Sequence, residues 1–232
     1  WTLSFTRFLV HVTITGYPRV LDAATIRPEI AVSHLREIAQ AYGPRAGVWR
    51  YDPIVFSQLT PAGWHRENFA RLAEALEGVV DEVVVSTVQP YRKTARNMAR
   101  AAQTGGFEWS DPADAEKKAL LGELAEIAAD HAMKLTLCGQ PELLGDGIGE
   151  ASCIDAARLA DVAQRPISAP RKPHRKTCAC DASRDIGGYD TCPHGCAYCY
   201  AVTDRAKAKQ RFAAHDPAGE FLFPPVGFIK RL

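Results

Sequence analysis

Five of the seven cysteines in this 232-residue chain lie in one stretch, TCACDASRDIGGYDTCPHGCAYCY at residues 177–200. Its last part places Cys192, Cys196 and Cys199 in the spacing C-x-x-x-C-x-x-C. Thiolates this close together are typical ligands of a metal ion or an iron–sulfur cluster, and the glycines between them allow the backbone to bend. Three thiolates on a four-iron cluster leave one iron free for a cofactor or substrate. The stretch therefore predicts a metal centre and favours an enzyme.

The remaining four cysteines form a second set of candidate ligands, Cys138, Cys153, Cys178 and Cys180. Four thiolates complete a closed iron–sulfur cluster or a tetrahedral zinc site. Cys138 ends a predicted strand and Cys153 precedes a predicted helix, so both are expected at the edge where parallel strands end. Because buried free cysteines also behave as small apolar side chains, core packing stays the alternative for Cys138 and Cys153.

Polar residues at the predicted strand ends are candidates for positioning a substrate. Arg50 and Asp52 are expected to line a cleft and are the predicted catalytic residues. The alternative is that the two side chains form a salt bridge that fixes a loop. The other candidates are Thr15, Tyr17, Ser86, Lys93 and Arg96. His11, inside a strand, is expected to be a satisfied core histidine, and His194 a spacer. Three aspartates among the cysteines are expected to hold backbone amides through Asx turns, namely Asp181, Asp185 and Asp190.

The rest of the chain alternates predicted strands and helices. Runs of apolar and β-branched residues predict strands at residues 8–14, 46–51, 82–88 and 133–138, with amphipathic helices between them. Four rounds of strand then helix favour an α/β fold with a parallel sheet and right-handed crossovers. We expect part of a (β/α) barrel, and a doubly wound sheet is the alternative because four strands cannot close a barrel of eight. Since the chain opens almost directly on a strand, we expect N-terminal strands to be missing.

Two regions are expected from the change in composition after Pro166. Residues 1–165 form the barrel-like body, and residues 166–232 form a linker, a cysteine-rich cluster-binding module and a C-terminal helix. The linker, ISAPRKPHRK at residues 167–176, is rich in proline and basic residues and lacks periodicity. The tail after residue 220 is expected either to pack on the sheet or to fray.

Composition limits the classes of function. The net charge of +1 and pI near 7.8 give no overall argument for binding nucleic acid or an acidic membrane, so such contacts would have to be local to the basic linker and the last helix. No apolar run approaches the roughly 20 residues that span a bilayer. Clustered cysteines without a secretory signal predict a cytoplasmic location.

The segment CPHGCAYCY at residues 192–200 resembles the cluster motif of radical S-adenosylmethionine enzymes. In those enzymes three cysteines at this spacing hold a [4Fe-4S] cluster and an aromatic residue precedes the last cysteine, a position that Tyr198 occupies here. The resemblance implies a cluster on Cys192, Cys196 and Cys199, S-adenosylmethionine as a second cofactor contacted by Tyr198, and an electron donor as a partner.

Six stretches along the chain resemble a bacterial domain of unknown function, the family numbered 1848. They are TGYP at 15–18, WRYDP at 49–53, YRKTARN at 91–97, SCID at 152–155, CACDASRDIGGYDTCPHGCAYCYA at 178–201 and HDPAGEFL at 215–222. This resemblance covers almost the whole chain. It also implies a strand-helix-strand portion before Phe5.

Two other functions fit the same residues. A zinc-bearing C-terminal module would act as a structural or nucleic-acid-binding element instead of an enzyme. A nucleic-acid repair or modification enzyme is a further alternative, because photoproduct lyases carry a similar C-x-x-x-C-x-Tyr-Cys-Tyr stretch. For an enzyme, the expected partner is a small-molecule or macromolecular substrate.

Overall fold

A computed structural model of the protein describes residues 7–172 and 177–222. The helices are α1 (Pro28–Tyr42), α2 (Ala62–Leu76), α3 (Arg92–Gly105), α4 (Asp114–Asp130), α5 (Ala156–Ala163) and α6 (Arg205–Ala213). The strands are β1 (Val10–Thr13), β2 (Gly47–Ile54), β3 (Phe56–Ser57), β4 (Glu82–Thr87), β5 (Trp109–Ser110), β6 (Lys134–Leu137) and β7 (Gly149–Glu150). In the described ranges, no helix is both long enough and apolar enough to cross a membrane.

The chain forms two compact units. Unit 1 comprises Trp1–Tyr17, Ile26–Gln89 and Gly106–Ser183. It contains all the strands named above together with α1, α2, α4 and α5. Unit 2 comprises Pro18–Thr25, Pro90–Gly105 and Arg184–Leu232, and it contains α3 and α6.

Unit 1 is built on a five-stranded sheet in the order β1-β2-β4-β6-β7. All four pairings in this sheet are parallel, which confirms the predicted α/β class with a parallel sheet. The strand order follows the chain without the reversal that defines a doubly wound sheet. The two short strands β3 and β5 form a separate antiparallel pair.

One face of the sheet carries the apolar core of unit 1. Because side chains alternate along a strand, every second residue reaches this face. The strand residues involved include Trp49, Tyr51, Val83, Val85, Leu135 and Leu137. Helices α1, α2 and α4 cover them with apolar side chains such as Leu35, Phe69 and Leu124. The Trp49 ring stacks on Phe69 with centroids 4.7 Å apart, and its indole N–H donates to the Ile14 carbonyl at 2.9 Å.

The opposite face of the same strands is mostly polar. Its apolar part is a small cluster of Val48, Val84 and Ala151, with Cys138 packed against it. We call this side of the sheet the polar face. It therefore needs hydrogen bonds and ion pairs where the first face has apolar contacts.

Arg158 of α5 closes the amino-terminal end of the polar face. Its guanidinium lies 2.5 Å from Oδ1 of Asp81 and 2.9 Å from Oε2 of Glu82, and its side chain is only 5% exposed. The same group donates to the backbone carbonyls of Arg45 at 2.9 Å and Gly47 at 3.1 Å. A guanidinium has several N–H donors in one plane, so this single side chain can join α5 to the starts of both β2 and β4.

The structure contains several elements that the sequence did not predict, among them β3, β5, α3 and β7. Helix α3 lies in a strongly polar segment in which only Thr94 and Met98 are buried. Strand β7 has two residues at the end of a glycine-rich loop, and it makes a fifth strand where four were expected. Residues 173–176 of the predicted linker and residues 223–232 of the tail lie outside the described residues.

Replacing Arg158 with alanine should lower the free energy of unfolding by about 3 kcal/mol, because Glu82 would lose its cation and Asp81 would keep only the more exposed Arg45. Urea unfolding followed by far-ultraviolet circular dichroism measures this change. Arg165→Ala is the control, because Arg165 is exposed just beyond α5 and its loss should change the free energy by less than about 0.5 kcal/mol. Equal losses in the two variants would show that the buried ion pairs contribute nothing.

Candidate functional site

Five polar or thiol side chains come together in unit 1 where the parallel strands end. They are Arg50, Asp52, Ser86, Cys138 and Cys153, and we call them the Arg50 cluster. Arg50 reaches the polar face because it alternates with the core residues Trp49 and Tyr51. Open and closed α/β folds place their sites at this end of the strands.

The Arg50 guanidinium is the centre of the cluster. Its Nη2 and Nε atoms lie 2.5 Å and 3.2 Å from Oδ2 of Asp52, and its Nη1 lies 3.0 Å from the sulfur of Cys153. The Ser86 hydroxyl donates to the other carboxylate oxygen of Asp52. The predicted salt bridge is therefore present, and it fixes the guanidinium against a thiol. A catalytic role for Arg50 and Asp52 stays a prediction.

The two thiols of the cluster lie side by side, with the Cys138 and Cys153 sulfur atoms 3.7 Å apart. A hydrogen bond from Cys138 and the positive charge of Arg50 lower the pKa of Cys153 to about 6, although burial acts in the opposite direction. The pKa of Cys138 is raised, because its thiol is the donor to Cys153 and because burial disfavours the thiolate. These opposite shifts favour Cys153 over Cys138 as the thiolate of the pair.

His11 of β1 lies on the same face, in register with Val48 of β2. Burial and the positive charges of Arg50 and Arg158 lower its pKa to about 4, so the ring is neutral at physiological pH. Among the described residues, its buried Nδ1 has no hydrogen-bond partner. The expectation that His11 is a fully satisfied core histidine is therefore wrong for this nitrogen. Unpaired buried polar atoms are uncommon and call for an explanation such as a functional role.

Cys178 and Cys180 form a second pair of thiols in unit 1. The Ser152 hydroxyl donates to the Ala179 carbonyl at 3.2 Å, and the Asp181 amide donates to the Ile154 carbonyl at 2.9 Å. Burial and a hydrogen bond with Cys178 raise the pKa of Cys180 to about 11, and Cys153 also interacts with it electrostatically. The structure thus brings the four cysteines of the second set into one neighbourhood as two pairs.

Cys192, Cys196 and Cys199 lie on one loop of unit 2, residues 190–203, which we call the cysteine loop. The Asp190 carboxylate accepts hydrogen bonds from the amides of Thr203 at 2.5 Å and Asp204 at 3.3 Å, and so ties the ends of the loop together. Gly195 turns the chain at a φ of +73°, and a Cβ there would clash with the side chain of Arg205. Only glycine fits this turn without displacing Arg205.

The segment of residues 18–25 supports the cysteine loop within unit 2. The Ala197 amide donates to the Leu21 carbonyl at 2.8 Å, and the Tyr198 hydroxyl donates to Oδ1 of Asp22 at 2.7 Å. Burial and the neighbouring carboxylate of Asp22 raise the pKa of Cys196. Tyr198 is therefore held in place by a buried aspartate that the sequence did not single out. Its contact with a cofactor stays a prediction.

Helix α3 supports the other end of the cysteine loop. Nδ2 of Asn97 lies 3.5 Å from the Cys199 carbonyl, and Nζ of Lys93 donates to the Thr203 hydroxyl at 2.9 Å. The Cys199 amide donates to the Cys196 carbonyl at 3.2 Å, which closes a turn between these two cysteines. Asn97 was not named as a site residue, although it ends the YRKTARN stretch that carried a family resemblance.

The three aspartates among the cysteines hold backbone amides, but only Asp185 does so in the predicted Asx turn, since Asp181 and Asp190 accept from amides 25 and 13 positions away. Asp185 accepts from the Gly187 amide at 2.8 Å, Asp181 accepts from the Ala156 amide at 2.8 Å, and Asp190 holds the cysteine loop. Across residues 7–172 and 177–222, no three histidine, cysteine, aspartate or glutamate side chains converge in a way that could hold a metal ion.

The fold and these sites define an α/β protein with paired thiols at the carboxyl end of a parallel sheet and three further cysteines on a loop. The chain belongs to the family described as Domain of unknown function (DUF1848), whose model matches residues 3–201. The match includes the Arg50 cluster and all three cysteines of the cysteine loop, and it confirms the family part of the sequence prediction. No curated protein and no solved structure matches the chain.

At neutral pH, Cys153 should react with iodoacetamide faster than Cys138 or Cys180, because only its thiol has a lowered pKa. Its rate should rise with a midpoint near pH 6, and Arg50→Gln should move the midpoint upward by removing the charge that stabilises the thiolate. Peptide mass spectrometry between about pH 5 and pH 9 follows each cysteine separately.

Arg66→Gln is the control for this experiment, because Arg66 pairs with Glu123 at the surface. The midpoint for Cys153 should not change in this variant. A midpoint near the ordinary thiol value of about 8.5 in the unmodified protein would contradict the assignment of Cys153 as the thiolate.

Proposed function

We propose that the protein is an iron–sulfur enzyme of the radical S-adenosylmethionine type, with a [4Fe-4S] cluster held by Cys192, Cys196 and Cys199. The observation that carries the proposal is the cysteine loop. It places three thiols on one short segment whose ends are tied by Asp190 and whose middle is turned at Gly195.

The donor set of the cysteine loop fits a cluster by its chemistry. Thiolates are the ligands of iron–sulfur centres, and three of them leave one iron open. Cys192 is exposed, and Cys196 and Cys199 are partly exposed, so a preassembled cluster can reach them in the folded chain. The loop also contains His194, which the spacing makes unnecessary as a ligand.

When bound, such a cluster supplies one electron to the sulfonium of S-adenosylmethionine at its open iron. The residues of unit 2 serve to hold the ligands in place. Asp22 and Tyr198 fix the turn that carries Cys196, and Asn97 contacts the carbonyl of Cys199.

The order of the strands supports a finer proposal for the fold, that unit 1 is part of a (β/α) barrel. Its parallel strands follow chain order, with helices on the core face and polar residues on the other. In a barrel the helices lie outside and the second face points inward. The Arg50 cluster would then lie inside the wall at its carboxyl end, where barrel enzymes have their active sites.

Anaerobically prepared protein should contain iron and sulfide in about equal amounts, and Cys196→Ala should lose the iron bound by the cysteine loop. His194→Ala is the matched control, because it changes a potential donor in the same loop without removing a thiol, and it should keep its iron. Metal analysis with the visible absorption spectrum measures both. A colourless protein with stoichiometric zinc would instead indicate the structural zinc module.

The reduced protein should convert S-adenosylmethionine to 5′-deoxyadenosine and methionine, and Cys196→Ala should abolish this reaction because the open iron would be lost. Chromatography of the reaction mixture measures the products, and His194→Ala should retain the activity. If the iron is present but no 5′-deoxyadenosine forms, the radical part of the proposal fails and the cluster serves electron transfer or structure.

A further inference from the structure

We propose that Cys138 and Cys153 are a redox-active dithiol that reduces a disulfide substrate by thiol–disulfide exchange. Cys153 provides the attacking sulfur and Cys138 the resolving sulfur. The inference rests on the Arg50 cluster of unit 1 and uses none of the cysteines assigned to the iron–sulfur cluster. It therefore stands or fails independently of the function proposed above.

The position of the two sulfur atoms favours a bond between them. They lie 3.7 Å apart, close to van der Waals contact, and a disulfide requires about 2.0 Å. Cys138 follows β6 and Cys153 follows β7, and these strands are parallel neighbours. The Ala151 amide donates to the Leu137 carbonyl at 3.0 Å and extends this pairing towards both cysteines. Small side-chain rotations can therefore close the bond without refolding the sheet.

The surroundings of the two thiols differ in the way that an attacking and a resolving sulfur require. The Cys153 sulfur accepts a hydrogen bond from the Arg50 guanidinium, a cation that does not lose its proton in proteins. Asp52 and Ser86 hold this guanidinium in place. Cys138 instead packs against the apolar side chains of Val48, Val84 and Ala151, which favour the neutral thiol. Both cysteines are partly exposed, so a substrate can reach the pair.

The proposed exchange has two steps. The Cys153 thiolate attacks one sulfur of the substrate disulfide, forms a mixed disulfide and releases the other substrate sulfur as a thiolate. Cys138 then gives up its proton, attacks the Cys153 sulfur, forms the Cys138–Cys153 disulfide and releases the second substrate thiolate. The dithiol loses two electrons and the substrate gains them. Of the two protons on the product thiols, one comes from Cys138 and one from solvent.

A closed metal site on the four cysteines of unit 1 is the competing role for this pair. The guanidinium of Arg50 already occupies one side of the Cys153 sulfur, and its positive charge would repel a bound cation. The four thiols form two pairs, Cys138 with Cys153 and Cys178 with Cys180. The guanidinium contact and this pairing favour the dithiol.

Anaerobic incubation of the reduced full-length chain with glutathione disulfide, followed by acid quenching, alkylation and peptide mass spectrometry, tests the proposal. In the unmodified protein, Cys138 and Cys153 should become linked to each other and carry no glutathione. In Cys138→Ser the exchange should stop after its first step, with glutathione bound to Cys153. In Cys153→Ser, Cys138 should react at least about tenfold more slowly, since it lacks the guanidinium contact.

Two further variants sharpen the test. Cys180→Ser, which changes the other thiol pair of unit 1, should still form the Cys138–Cys153 disulfide. Arg50→Gln should slow the first step roughly tenfold. Because the disulfide is mapped in the unmodified chain, the test does not depend on any variant folding, and thermal unfolding confirms that each variant is folded.

Three results would overturn the proposal. In the first, Cys138 and Cys153 can still be alkylated after glutathione disulfide has modified the other accessible cysteines. In the second, Cys138 in Cys153→Ser gains glutathione as fast as Cys153 does in Cys138→Ser. In the third, the purified protein holds a stoichiometric metal ion that Cys138→Ser releases, which would identify the four cysteines as a metal site.

Discussion

The polar face of unit 1 depends on the pairing of its buried charges. Removing a charged side chain from water costs several kcal/mol unless a partner of opposite sign compensates it. Arg158 has two carboxylate partners at one end of this face, and Arg50 has a carboxylate and a thiol at the other. Parallel sheets are usually covered by apolar side chains on both faces. Here ion pairs replace the apolar cover on one face.

The alternation of side chains along each strand connects the apolar core to the Arg50 cluster. Trp49 and Tyr51 are fully buried in the core, and Arg50 between them must point the other way. Sliding β2 by one residue would move the aromatic rings to the polar face and the guanidinium into the core. The same packing that stabilises unit 1 therefore fixes the register of the functional residues.

The sequence alone predicted those features of the fold and the site that neighbouring residues in the chain form together. Apolar runs such as the one around Val83 predicted the parallel strands, and the short spacing of Cys192, Cys196 and Cys199 placed them on one loop. Contacts between residues that are far apart in the chain could not be predicted, because they produce no local pattern in the sequence. Arg50 meets Cys153 across 103 positions and Asp22 meets Tyr198 across 176. Helix α3 was missed because polar and charged residues dominate its segment and only Thr94 and Met98 are buried, and β7 was missed because two residues carry no periodic signal.

Strand β7 lies at the edge of the sheet and is paired through only two residues. Cys138 precedes it and Cys153 follows it, 15 positions apart in the chain. A covalent link between them would enclose β7 in a loop whose closure removes about 3 kcal/mol of conformational freedom from the unfolded chain. Oxidation would thus anchor this edge of the sheet. By thermodynamic reciprocity, any ligand that holds β7 in place would favour the oxidised form of the pair.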